Sequence, residues 1–102
     1  MLVDFHAQIE CDLEEAAAYF TRRDAGAAAE FLDSYEECLR LIRHFPHAAA
    51  IRADGMRRSK IGRFNFSITY AIYPEFIYLV AIENLNRRPG YWHERLKDLP
   101  EP

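Results

Sequence analysis

Apolar and polar residues alternate through "LVDFH", Leu2 to His6, and predict a short first strand. From Ala7 the period lengthens. Ile9, Leu13, Ala16, Ala17 and Phe20 recur at steps of three and four, which is the spacing of one helix face. "TRRDAG" ends that helix, with basic residues in its last turn and Gly26 just beyond. A second helix is expected from about Ala27 to His44. Its stripe is Ala28, Phe31, Leu32, Tyr35, Leu39 and Ile42, and Pro46 stops it. So short a connection makes the pair an antiparallel hairpin.

After the loop "HAAAIRADG" the period becomes two. "MRRSKI" reads as one strand and "RFNFSITYAIY" as the next. In the latter, Phe64, Phe66, Ile68, Tyr70 and Ile72 share one face, and Arg63, Asn65, Ser67, Thr69 and Ala71 share the other. Pro74-Glu75 makes a tight turn. "FIYLVAIEN" is apolar on both faces, so it is expected at the centre of the sheet. Pro89-Gly90 breaks the chain, and "YWHERLKDL" reads as a short last helix. The expected fold class is α+β, in the order strand, helix, helix, strand, strand, strand, short helix. The hairpin packs on one face of a small, mostly antiparallel sheet and leaves the other face partly open.

The 102 residues form one expected domain, 1–102, with half of the chain hydrophobic. The net charge of −3 gives no global case for nucleic-acid binding. It conceals a split, however. Residues 1–54 hold five Lys and Arg against eleven Asp and Glu, or −6, while residues 55–102 hold eight against five, or +3. Any anion contact is therefore expected from the second half. The acidic residues Glu10, Asp12, Glu14 and Glu15 read as a solvated face that complements the helix dipole. Cys11 and Cys38 point in different directions from their helix stripes, so no disulfide is expected between them. The first ten residues lack the basic flank and apolar run of a signal peptide. The longest apolar run, Phe76 to Ile82, is too short to span a membrane. The expectation is a reduced, cytoplasmic protein.

Arg57, Arg58, Lys60, Arg63, Arg87 and Arg88 border the sheet, and alternation sets Arg58 and Lys60 opposite Arg57. Guanidinium groups suit phosphate and carboxylate oxygens, although arginines at strand ends also cap carbonyls or face water. Tyr91 and Trp92 are more often packing aromatics that cover the open sheet face than reacting groups. His44 and His47 have no third ligand at metal-site spacing, and His6 and His93 stand alone.

Four segments together resemble the RelE/ParE superfamily, the toxins of type II toxin–antitoxin systems, which include plasmid stabilisation proteins. "CDLEEAAAYF" is similar to that family's first helix and "AAAEFLDSYEECLRLIRHFP" to its second. In "RRSKIGRFNFSITYAIY", Arg57, Phe64 and Tyr70 match an Arg…Phe-Pro-Tyr-x-(Ile/Val)-x-Tyr segment. In "ENLNRRPGYWHERL", Arg87, Pro89, Tyr91 and Trp92 match His-x-x-Arg-x-Pro-x-Tyr-Trp. Asn65-Phe66 replaces the family's Pro-Tyr, and Asn84 replaces its histidine.

The resemblance implies a bacterial toxin that needs no cofactor or metal and is held inactive in a hetero-oligomer with an antitoxin from the adjacent gene. It implies either a ParE-like poison of DNA gyrase or a RelE-like nuclease that cuts mRNA on the ribosome. A nuclease would use Arg57, Lys60, Arg87 and Tyr91, with His93 and Glu83 as further proton-transfer groups. A target-binding surface would use Arg57, Arg63, Arg87, Tyr91 and Trp92. The acidic net charge and the two departures favour gyrase. A toxin fold that has kept antitoxin binding and lost toxicity is the third alternative. Arg87 is expected to be an anchor and Arg88 to be solvated. The apolar sheet face is expected to be covered by antitoxin.

Overall fold

A computed structural model of the chain describes residues 1–101. Its elements are β1 (Leu2–Phe5), α1 (Ile9–Thr21), α2 (Ala25–His44), β2 (Arg57–Lys60), β3 (Phe66–Ile72), β4 (Phe76–Asn84) and a 3₁₀ helix (His93–Asp98). This is the predicted order. The four strands form one sheet in the order β1-β4-β3-β2, so β4 is interior, as its two apolar faces require. β1 runs parallel to β4, and the other pairs are antiparallel.

Boundaries differ where local chemistry outweighs periodicity. Asp24 accepts a hydrogen bond from Gly26 N–H at 3.0 Å and starts α2 two residues earlier than its stripe suggests. Arg63 to Asn65 belong to the β2–β3 turn rather than to β3. Gly62 has φ +51°, and Ile61 N–H reaches Phe66 O at 2.9 Å across the turn. Phe64 still reaches the core, where Phe20, Phe31, Phe64 and Phe66 pack with ring centroids 4.9–5.6 Å apart. Each such pair is worth about 0.5–1.5 kcal/mol beyond simple burial.

The helices cover one sheet face, against Ile68, Tyr70, Ile77, Leu79 and Ile82. The opposite face, expected to be partly open, is closed, by the aromatic packing that the same reading allowed for Tyr91 and Trp92. The chain after β4 turns back and lays Trp92 over Met56, Ala71, Tyr78, Val80 and Ala81, with Tyr91, Leu96 and Leu99 around it. The C-terminal tail therefore covers the surface expected to need an antitoxin.

The phase of β4 follows from an irregularity in its pairing with β3. Thr69 faces Ala81, but Tyr70 faces Leu79, so Val80 is unmatched. This bulge places Val80 and Ala81 on the same face and sends Glu83 to the tail side of the sheet. Glu83 is buried there. It accepts from Thr69 Oγ1 and Arg58 Nη2, both at 3.0 Å, with Arg52 Nη1 at 3.8 Å.

Polar tethers fix the tail. Arg95 forms a two-pronged pair with Asp12, at 2.6 and 2.8 Å, and also donates to Val80 O at 3.1 Å. Tyr73 OH donates to Pro100 O at 2.8 Å. His6 accepts Gln8 N–H at Nδ1, so its proton sits on Nε2, which donates to Asp98 at 2.9 Å. His6 is thus a buried clamp rather than an isolated histidine. Asp12 is an ion-pair and backbone partner rather than part of a solvated acidic face. Among the described residues no helix is long and apolar enough to cross a membrane.

Candidate functional site

β1 covers β4 only from Phe76 to Leu79. Beyond that point the outer edge of β4 has no neighbouring strand, and side chains satisfy it instead. Asp12 Oδ2 accepts Ile82 N–H at 3.0 Å, and Tyr91 OH accepts Asn84 N–H at 2.8 Å. Together with the Arg95–Val80 bond, these contacts draw α1, the strand end and the tail together. A cleft of about 360 Å³ lies between α1 and this edge.

One stripe of α1 forms a wall of the cleft: Asp12, Glu15, Tyr19 and Arg22. Arg87 and Tyr91 come from the tail, and the buried Phe66 and Ile82 form the floor. The turn in "NRRPGYW" holds Arg87 in place. Asn84 Oδ1 accepts Asn86 N–H at 3.0 Å, and Arg87 N–H donates to Asn84 O at 3.1 Å. Gly90 has φ +78°, and a Cβ there would lie 2.8 Å from the His93 ring, so the turn needs glycine. Asn65 Nδ2 donates to Asn86 Oδ1 at 2.6 Å. The two departures from the family pattern, Asn65 and Asn84, therefore both build this turn.

Arg87 stacks its guanidinium 3.9 Å above the centre of the Tyr91 ring. Among the described residues it has no carboxylate partner, so its donors stay available. Tyr91 is held at both ends, by that stack and by the Asn84 bond. Burial pushes its phenol above the ordinary tyrosine value, which opposes its use as a base near neutral pH. Arg88 is exposed.

The other expected residues lie apart from this cleft. Arg57 is on the helix face of β2, opposite Tyr70, and donates to the carbonyls of Ala49 at 2.6 Å and His47 at 3.4 Å. It pins the loop before β2. Lys60 lies opposite Ser67 on the other face, with Nζ 3.5 Å from Gly62 O. β3 separates both residues from β4, and two strand spacings come to about 10 Å. Arg63 pairs with Glu30 on the surface and lies over the Phe64 ring. Trp92 is 2% exposed and presents no surface to a partner, because its indole is the centre of the tail-side core. Glu83 is sealed in its arginine and threonine contacts, and His93 lies outside the cleft, 3.4 Å from Asp54.

Of the residues expected to act, Arg87 and Tyr91 line the cleft, and Asp12, Tyr19 and Arg22 join them from α1. The 12-15-19-22 spacing on one helix was the available signal. Cys11 and Cys38 are both free, one exposed and one buried. Among the described residues no group of three His, Cys, Asp or Glu side chains is placed to hold a metal ion.

No protein-family model matches the chain, and no curated protein matches it. A solved structure does, a chain of the "Chromosomal ParDE TA system from P. aeruginosa". The likeness has a TM-score of 0.72 at 16% sequence identity and covers 83% of this chain and 96% of that one. At that identity the likeness is one of fold, and the fold of this chain is the ParE-like one its motifs imply.

Proposed function

We propose that this protein is the toxin of a toxin–antitoxin pair, and that it acts on a protein target, DNA gyrase, without breaking bonds itself. The toxin assignment draws support from two independent sources: the ordered motifs of the sequence and the fold shared with a chain of the ParDE system. The observation that carries the non-nuclease reading is the dispersal of the four nuclease residues. Cleavage of RNA requires a base, an acid and charge-neutralising groups around one phosphate. Here Arg57 is committed to two loop carbonyls, Lys60 lies two strands away, and the Tyr91 phenol is shifted away from acting as a base. Arg87 alone remains poised and unpaired.

Controlled expression of the protein alone tests this reading. The expected result is growth arrest with filamentation, a DNA-damage response and intact mRNA. The purified protein should also inhibit supercoiling by gyrase. Codon-specific cuts in mRNA, mapped by primer extension, would make the nuclease reading correct instead. Growth without arrest would leave the non-toxic, antitoxin-binding alternative. The antitoxin is expected from the adjacent gene, and its co-expression should restore growth.

A further inference from the structure

Arg22 has no obvious structural duty. It caps the C-terminal end of α1, where a positive charge is favoured. Its guanidinium nevertheless donates to none of that helix's carbonyls and pairs with no carboxylate among the described residues. It lines the same cleft as Arg87, which is likewise unpaired. Arg23, its neighbour, lies over the Tyr19 ring at 4.6 Å and does not line the cleft. Two guanidinium groups with no carboxylate partner among the described residues therefore line the cleft from different elements, Arg22 from the end of α1 and Arg87, stacked on Tyr91, from the tail.

The remaining lining selects among anions. Ala18 and the two tyrosines supply apolar surface, and Ala16, Phe66 and Ile82 lie buried beneath it. Asp12 is neutralised by Arg95, but Glu15 keeps an unpaired carboxylate in the wall. The α1 wall belongs to the half of the chain that carries −6, and the strand and tail side to the half that carries +3. A phosphodiester backbone, with a charge on every nucleotide, would be repelled along α1. A single carboxylate sets one charge, not a row of them, against Glu15, and the guanidinium groups that line the cleft can donate to it while its neighbours lie on the tyrosine rings.

We infer that Arg22 and Arg87 form a two-arginine clamp for the carboxylate of a glutamate or aspartate flanked by apolar residues on a peptide segment of a protein partner. The clamp rests on the protein-target reading and names the chemistry that such a partner presents. Each charged hydrogen bond within it should change affinity by roughly tenfold or more.

The test is NMR titration of the ¹⁵N-labelled full chain, following the arginine Nε–Hε signals. The probes are N-acetyl-Leu-Glu-Leu-amide, its Gln counterpart and the dinucleotide uridylyl-uridine. The Glu peptide should shift the Arg22 and Arg87 signals together and saturably, and leave Arg88 unmoved. The Gln peptide should bind about tenfold more weakly, and Arg22→Gln should weaken the Glu peptide by a similar factor without changing the melting temperature. Equal binding of the two peptides, movement of Arg87 without Arg22, no saturation up to the solubility limit, or tighter binding of the dinucleotide would each overturn the clamp. Growth arrest does not depend on these probes. A protein that arrests growth but ignores the Glu peptide therefore fails the clamp and keeps the toxin reading.

Discussion

Arg87→Ala separates a functional anchor from a structural one, because the structure assigns Arg87 so little to hold. Its side chain is exposed and makes one defined contact, the stack 3.9 Å over Tyr91. An exposed cation–π contact is worth about 0.5–1 kcal/mol. For a domain of this size 1 kcal/mol corresponds to roughly 4–8 °C of melting temperature, so the loss should not exceed that range. The turn itself should survive, since its bonds come from Asn84, Asn86 and the backbone. Loss of the anchoring charge should nonetheless abolish growth arrest, while antitoxin binding persists. Arg88→Ala is the control, because it removes the neighbouring exposed arginine and should stay toxic. The assays are thermal melting followed by circular dichroism, and colony counts after induction. If Arg87→Ala melts like the parent and still arrests growth, "NRRPGYW" is only a way of ending a strand. A much larger fall in melting temperature would show that the turn depends on Arg87 in a way the structure does not contain.

Trp92→Ala should cost about 3–5 kcal/mol in urea unfolding, because it empties the centre of the tail-side core. An effect below 1 kcal/mol would mean that the tail does not close that face. Arg57→Ala should destabilise by about 1.5–3 kcal/mol, more than Arg87→Ala, since two loop carbonyls lose a charged donor. Burial pushes the Tyr35 phenol up to about 12 from an ordinary 10. The folded state thus holds that proton more tightly than the unfolded chain. Its contribution is complete below pH 10 and is lost as pH rises from 10 to 12, at no more than about 1.4 kcal/mol per unit. Tyr35→Phe should flatten this alkaline loss, and an unchanged profile in urea titrations would refute the assignment.

Side-chain periodicity by itself determined the elements of this protein. A period of 3.6 or 2 is a local property, so both helices, the four strands, the interior position of β4 and the opposed faces of Arg57 and Arg58 follow from neighbours in the chain. Arg87 and Tyr91 were also legible, because the turn that presents them is built from adjacent residues. The tertiary structure decided what depends on distant partners. Asp12 looks like one more solvated acid on α1 until Arg95, 83 positions away, folds back to meet it. His6 looks isolated until Asp98 arrives from 92 positions on. An unmatched Val80 sets which face receives Glu83, and strict alternation cannot place such a bulge. Arg57 and Arg87 are alike in the sequence. One is spent on the carbonyls of a neighbouring loop and the other is left free above a tyrosine ring, because the first lies beside a loop that needs donors and the second beside an open cleft.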